Sequence, residues 1–134
     1  MGHRLLDHKS KCNNVHWHRY KAEISLEGDI VAKPGDSQNG MVVDFSDIKK
    51  IAKEYIDSEL DHSYMFQAGD PIGQAVQEQW LKSIQVSFPP TAENIAVYLY
   101  EKLQALYTKG LGDTVRLYAI KLWETPTGYV IYQP

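Results

Sequence analysis

The chain has 134 residues, 43% apolar and 23% charged, with a formal net charge of −3. One domain spanning residues 1–134, with a core of its own, is the expectation for that length. The weak, dispersed charge excludes a nucleic-acid surface and a polybasic membrane patch. No apolar run approaches the ~18 residues of a membrane span. The N-terminal "MGHRLLDHKSKC" lacks the apolar stretch of a signal peptide, and one cysteine cannot form an internal disulfide. A cytoplasmic protein is therefore expected.

Residues 15–28 alternate. His16, His18, Tyr20, Ala22, Ile24 and Leu26 share one parity; Trp17, Arg19, Lys21, Glu23, Ser25 and Glu27 share the other. That pattern predicts one half-buried strand with both histidines on its inward face. "GDIVAKPGDSQNG" is a turn-rich connection. Asp44 or Ser46 then caps a helix running to about Glu59, with Ile48, Ile51, Ala52, Tyr55 and Ile56 as its apolar stripe. Residues 60–90 are expected to form a long connector holding at most one helical turn near 74–82, closed by Pro89-Pro90. Thr91 caps a second helix with a buried stripe of Ile95, Ala96, Leu99, Leu103 and Leu106, ending at Lys109-Gly110. "TVRLYAIKLWE" and "GYVIYQ" predict a hairpin turned by "TPTG". The order strand, helix, helix, strand, strand predicts an α+β fold: an antiparallel sheet with two helices on one face.

Four of the five histidines lie in the first 18 residues: His3, His8, His16 and His18. A His-x-His pair on a strand puts two imidazoles on one face, about 6–7 Å apart at Cβ. They either converge on a metal ion, with His3 or His8 as the third ligand, or are polar strand residues with ordinary hydrogen bonds. Facing an apolar side favours the metal, because buried imidazole needs a partner. Cys12 is either a fourth ligand, a reactive thiolate beside a cationic centre, or an inert buried residue. Asp61-His62 is either an acid/base pair or a helix end with a dipole-compensating histidine. Glu124, in phase with Tyr118, Ile120 and Leu122, either anchors a ligand or lies past the sheet edge in solvent.

Together, His3-Arg4-Leu5, Cys12-x3-His16-x-His18, "GMVVDFSDIK", "LDH", "PTAEN" and "WET" resemble, in this order, the 6-pyruvoyltetrahydropterin synthase / 6-carboxytetrahydropterin synthase family. The resemblance covers essentially the whole chain. The four-residue step from Cys12 to His16 looks like the carboxy enzymes of the 7-deazaguanine (queuosine) pathway. It implies the tunnelling fold, in which the sheets of three subunits join into an oligomeric β-barrel and two rings stack, giving a trimer or a dimer of trimers with interfacial active sites. It implies zinc on His3, His16 and His18, Cys12 as the catalytic thiol, Asp61 and His62 as its acid/base partners, Glu124 as the pterin anchor, and Thr91 in the pterin pocket. It implies conversion of 7,8-dihydroneopterin triphosphate to 6-carboxy-5,6,7,8-tetrahydropterin with loss of triphosphate and acetaldehyde. The alternatives are the pyruvoyl branch, which stops after elimination, and a non-catalytic zinc- or pterin-binding oligomer.

Three departures accompany the resemblance. Trp17 replaces the glycine of the usual His-Gly-His and is expected to alter packing more than the metal. The connector between His62 and Thr91 is longer than in short bacterial forms. Relatives carry a strand before the histidine matched by His3, so a truncated first strand is expected.

Overall fold

The computed structural model describes residues 1–134. It is α+β with three helices and two sheets. The first sheet has the order β2–β1–β4–β5, from β1 (Gly2–His3), β2 (His16–Trp17), β4 (Tyr64–Gln67) and β5 (Ser83–Val86). Strand β1 runs antiparallel to β2 and parallel to β4, and β4 runs parallel to β5. The second sheet is antiparallel, in the order β3 (Lys21–Gly28), β6 (Val115–Trp123), β7 (Tyr129–Tyr132).

Helix α3 (Ala92–Leu111) lies across β6 and β7 and buries Ile95, Ala96, Leu99, Leu103 and Tyr107 against Leu117, Ile120 and Leu122. Helix α1 (Phe45–Tyr55) packs on α3, where the Tyr107 hydroxyl donates to the Ile48 carbonyl at 3.1 Å. A single π-type turn, Ile56–Leu60, extends α1 to the Asp61-His62 pair. Both long helices start on the caps their sequences offer: the Asp44 carboxylate accepts from Ser46 N, and Thr91 Oγ1 accepts from Asn94 N. No helix is long and apolar enough to cross a membrane.

Several expectations are corrected. The alternating stretch is two strands in two different sheets: β2 pairs with β1, and β3 pairs with β6 from Lys21↔Trp123 to Gly28↔Val115. His18, Arg19 and Tyr20 carry the chain across. Alternation survives the crossing because it reports which way side chains face, and says nothing of which strand lies alongside. The connector is a strand–helix–strand unit, β4–α2–β5, with α2 at Pro71–Glu78. Its strands have four residues each, too short to separate from buried loop by periodicity. Its helix carried a legible start, Asp70 as N-cap followed by Pro71 at the first turn. The fold thus has three helices and one mixed sheet, where two helices and a wholly antiparallel sheet were expected. Helix α3 runs to Leu111 and is followed by Gly112 at φ 80°. The chain alone closes no barrel: the outer edge of β3 is unpaired.

Gly73 lets α2 lie flat on the ring of Phe66, which is fully buried in β4; a Cβ there would collide with the ring. Alanine ordinarily stabilises a helix interior by about 1 kcal/mol over glycine. Gly73→Ala is expected to do the reverse, costing about 1–3 kcal/mol by overpacking. Thermal unfolding checks this; an unchanged or raised midpoint contradicts the contact.

Candidate metal centre

Three imidazoles converge where the first sheet meets the start of the second. His3 comes from β1, His16 from β2, and His18 from the crossing segment. Their ligand atoms all lie within 4.8 Å of one another, and their ring centroids are 4.5, 5.5 and 4.9 Å apart. His8, the other candidate third ligand, is elsewhere: its exposed ring bonds the amide and hydroxyl of Ser10.

The tautomers follow from the neighbours. His3 Nδ1 lies 2.6 Å from the Pro90 carbonyl, and His16 Nδ1 lies 2.7 Å from the Asn14 carbonyl. A carbonyl can only accept, so each Nδ1 carries the hydrogen and each Nε2 keeps its lone pair for the centre. Carbonyl-fixed imidazoles of this kind are the usual supporting arrangement for metal-ligating histidine. His3 is 2% exposed, and its pKa is lowered from the ordinary 6.5, chiefly by burial. The Pro90 carbonyl and Glu124 act against that shift, while His16 and His18 add to it. His3 is therefore the neutral ligand form at pH 7. Crowded imidazole lone pairs, with His3 buried, are satisfied by a cation, so the residues fit a metal ion.

Tyr20 and Glu124 edge the cluster. The Tyr20 hydroxyl donates to Glu124 Oε1 at 3.1 Å and lies 3.3 Å from His3 Nε2; Glu124 Oε1 is 3.6 Å from the same nitrogen. Burial first, and then the Glu124 charge, raise the Tyr20 pKa far above the phenol range. Glu124 is thus neither stranded beyond the sheet edge nor aimed away from the site. Tyr20 was missed as a site residue, although it shares the parity of His16 and His18.

Cys12 sits half-buried on a 3₁₀ turn (Lys11–Asn13), outside the three converging ligand atoms. Its sulfur is near enough to Tyr20 that a thiolate there would raise that hydroxyl's pKa further. Asp61 and His62 are paired at 2.8 Å between Oδ2 and Nδ1, on the surface. His62 adopts the left-handed φ of 57° at the end of the π turn, and hydrogen bonding to His62 holds the Asp61 carboxyl below its ordinary range. The pair does not touch the three histidines. It shares with His18, Arg19 and Tyr20 the lining of a cavity of about 550 Å³. The Thr91 hydroxyl is engaged as the α3 cap, next to the Pro90 carbonyl that holds His3. Trp17 is largely exposed and its indole rests on Gly2, where a side chain would require the indole to shift.

The fold and site are those of an α+β protein with a three-histidine cluster compatible with metal binding. The model of the 6-pyruvoyl tetrahydropterin synthase family matches residues 1–134, and the chain belongs to this family of enzymes. It is 34% identical to a 6-carboxy-5,6,7,8-tetrahydropterin synthase of Haemophilus influenzae, over 99% of this chain and 92% of that one. It is 39% identical to the synthase of the same name from Rickettsia bellii, over 96% and 90%. The solved 6-pyruvoyl tetrahydropterin synthase of Plasmodium falciparum shares the fold, with a TM-score of 0.73 at 19% identity over 99% of this chain and 88% of that one.

The lowered His3 pKa has a consequence for stability. An unfolded histidine takes its proton near pH 6.5, whereas folded His3 takes it only at lower pH. Between those values the unfolded chain binds more protons, so stability rises with pH. The thermal midpoint of chelator-stripped protein is expected to climb as the pH rises toward about 6.5, with a flatter climb in His3→Gln. Identical pH dependence in the two proteins contradicts the assignment.

Proposed function

We propose that this protein is a zinc-dependent 6-carboxytetrahydropterin synthase. It acts on 7,8-dihydroneopterin triphosphate and one water, and releases triphosphate and acetaldehyde with 6-carboxy-5,6,7,8-tetrahydropterin, a precursor of 7-deazaguanines. The observation that carries the reading is the three-imidazole centre flanked by Glu124, in a chain whose relatives are named for that product.

His3, His16 and His18 are the zinc ligands; nitrogen donors suit this ion, and three protein ligands leave a position open. Zinc, when bound, supplies Lewis-acid polarisation of oxygens on the substrate side chain. Cys12 as thiolate takes the proton from the adjacent carbon. Asp61 orients the His62 imidazole through Nδ1, which leaves Nε2 to exchange protons as the partner acid/base. Glu124 accepts the two adjacent N–H groups on the amidine-like edge of the pterin, while Tyr20 fixes one of its oxygens. Thr91 borders the pterin pocket while capping α3. Elimination without side-chain cleavage, giving the pyruvoyl product, is the second reading, favoured by the description of the matching family model.

The working form in this reading is a cytoplasmic single-domain chain assembled as a trimer or a dimer of trimers. Support comes from the eight-residue β3 edge left unpaired, from Phe45 at 85% exposed, and from an apolar cleft of about 820 Å³ between β3 and α1. A long open edge is an association site unless covered. Phe45→Glu is expected to shift the mass measured by light scattering toward the monomer; an unmoved mass removes this face from the interface.

Incubating zinc-loaded protein with 7,8-dihydroneopterin triphosphate and weighing the products tests the chemistry. Acetaldehyde with the 6-carboxy pterin is expected. A pyruvoyl product selects the second reading, and absent turnover despite bound metal contradicts both. Cys12→Ala is expected to keep the metal and lose about 10²–10⁴ in rate, whereas His16→Ala is expected to lose the metal. A near-normal rate in the first, or full occupancy in the second, overturns that residue's role.

A further inference from the structure

The β4–α2–β5 unit has no part in the chemistry above, yet it holds strand β1 at three places. The Gly2 amide donates to the Ser63 carbonyl at 2.8 Å, and Gly2 and His3 run alongside Tyr64 and Met65. At the far end of the unit, Pro90 fixes the His3 ring through Nδ1. Between them, Arg4 Nε lies 3.2 Å from Asp70 Oδ2, with the two side chains 12% and 1% exposed. Neither of these two atoms makes an aligned hydrogen bond, so opposite charge is what compensates their burial. The other oxygen of Asp70 accepts from Ile72 N at 3.0 Å and caps α2.

A two-residue strand has little hydrogen bonding with which to fix its own direction. An ion pair one residue beyond His3, closed onto the start of a packed helix, sets where the chain leaves the ligand. We propose that Arg4 and Asp70 are positioning residues for His3, and that the strand–helix–strand unit preorganises the metal centre through them. The proposal rests on the reading of His3, His16 and His18 as metal ligands. A preformed ligand set binds without first being ordered, and loss of such supporting partners typically weakens metal binding about 10–100-fold.

Asp70→Asn is the sharpest test, because asparagine still caps α2 and removes only the charge that Arg4 faces. Zinc affinity is read by competition with a chelator, the visible spectrum is taken on cobalt-loaded protein, and the thermal midpoint is taken on stripped protein. Asp70→Asn and Arg4→Met are expected to bind zinc about 10–100-fold more weakly and to change the cobalt spectrum. Arg4→Lys, which keeps the cation, is expected to recover most of the loss. Val86→Ala, a buried change in β5 away from β1, is expected to lower the midpoint and leave affinity within about twofold, since it leaves the ligand supports in place. Wild-type affinity in Asp70→Asn and Arg4→Met overturns the proposal and leaves the metal reading standing. Losses no larger than in an equally destabilised Val86→Ala also overturn it. Wild-type protein that binds no zinc overturns the histidine reading and this proposal with it.

Discussion

Three imidazole nitrogens that share one small space are the constraint on which the rest of this structure depends. Backbone carbonyls occupy Nδ1 of His3 and of His16, which leaves Nε2 of each facing the shared space. Burial keeps His3 from relieving the crowding by taking a proton at neutral pH. Such an arrangement is costly without a cation and favourable with one. Two local features around it serve the same end: Pro90 holds a ring, and Tyr20 ties Glu124 to the edge of the cluster.

The site lies at the seam between two sheets. The first sheet supplies His3 and His16, and the second supplies Tyr20, just ahead of β3, and Glu124, just past β6. Only three residues, His18 to Tyr20, carry the chain from one sheet to the other, and all three line cavities there. Tyr20 and Glu124 therefore rest on a different scaffold from His3 and His16. The α1–α3 layer carries the larger core against the second sheet, while the β4–α2–β5 unit pairs with the short first strand through β4.

Local chemistry in this sequence was legible where it acts locally. Thr91 and Asp44 announced two helices, and the α3 stripe was readable because a long helix repeats its period many times. The final hairpin followed from alternating apolar residues around "TPTG". What could not be read was pairing over distance. Nothing near His3 says that the carbonyl of Pro90, 87 residues away, will hold its ring. Parallel pairing of β1 with β4 leaves no mark on two residues. The break between β2 and β3 was invisible because Tyr20 keeps the alternation going. The His-x-His spacing did signal a shared face, and the inward lean of His18 preserves that face beyond the end of β2. The Asp70-Pro71 start of α2 was present in the sequence, but the four-residue strands on either side carry no period that frames it.

Zinc-edge X-ray absorption on the purified, zinc-loaded protein tests the central claim most directly. Three imidazole nitrogens around one ion predict a first shell of nitrogen and oxygen scatterers at about 2.0–2.1 Å, with the outer scattering of three rings and no sulfur. That result leaves Cys12 unligated. A sulfur scatterer near 2.3 Å would make Cys12 a ligand, and fewer than three rings would break the cluster. Either outcome would contradict the account.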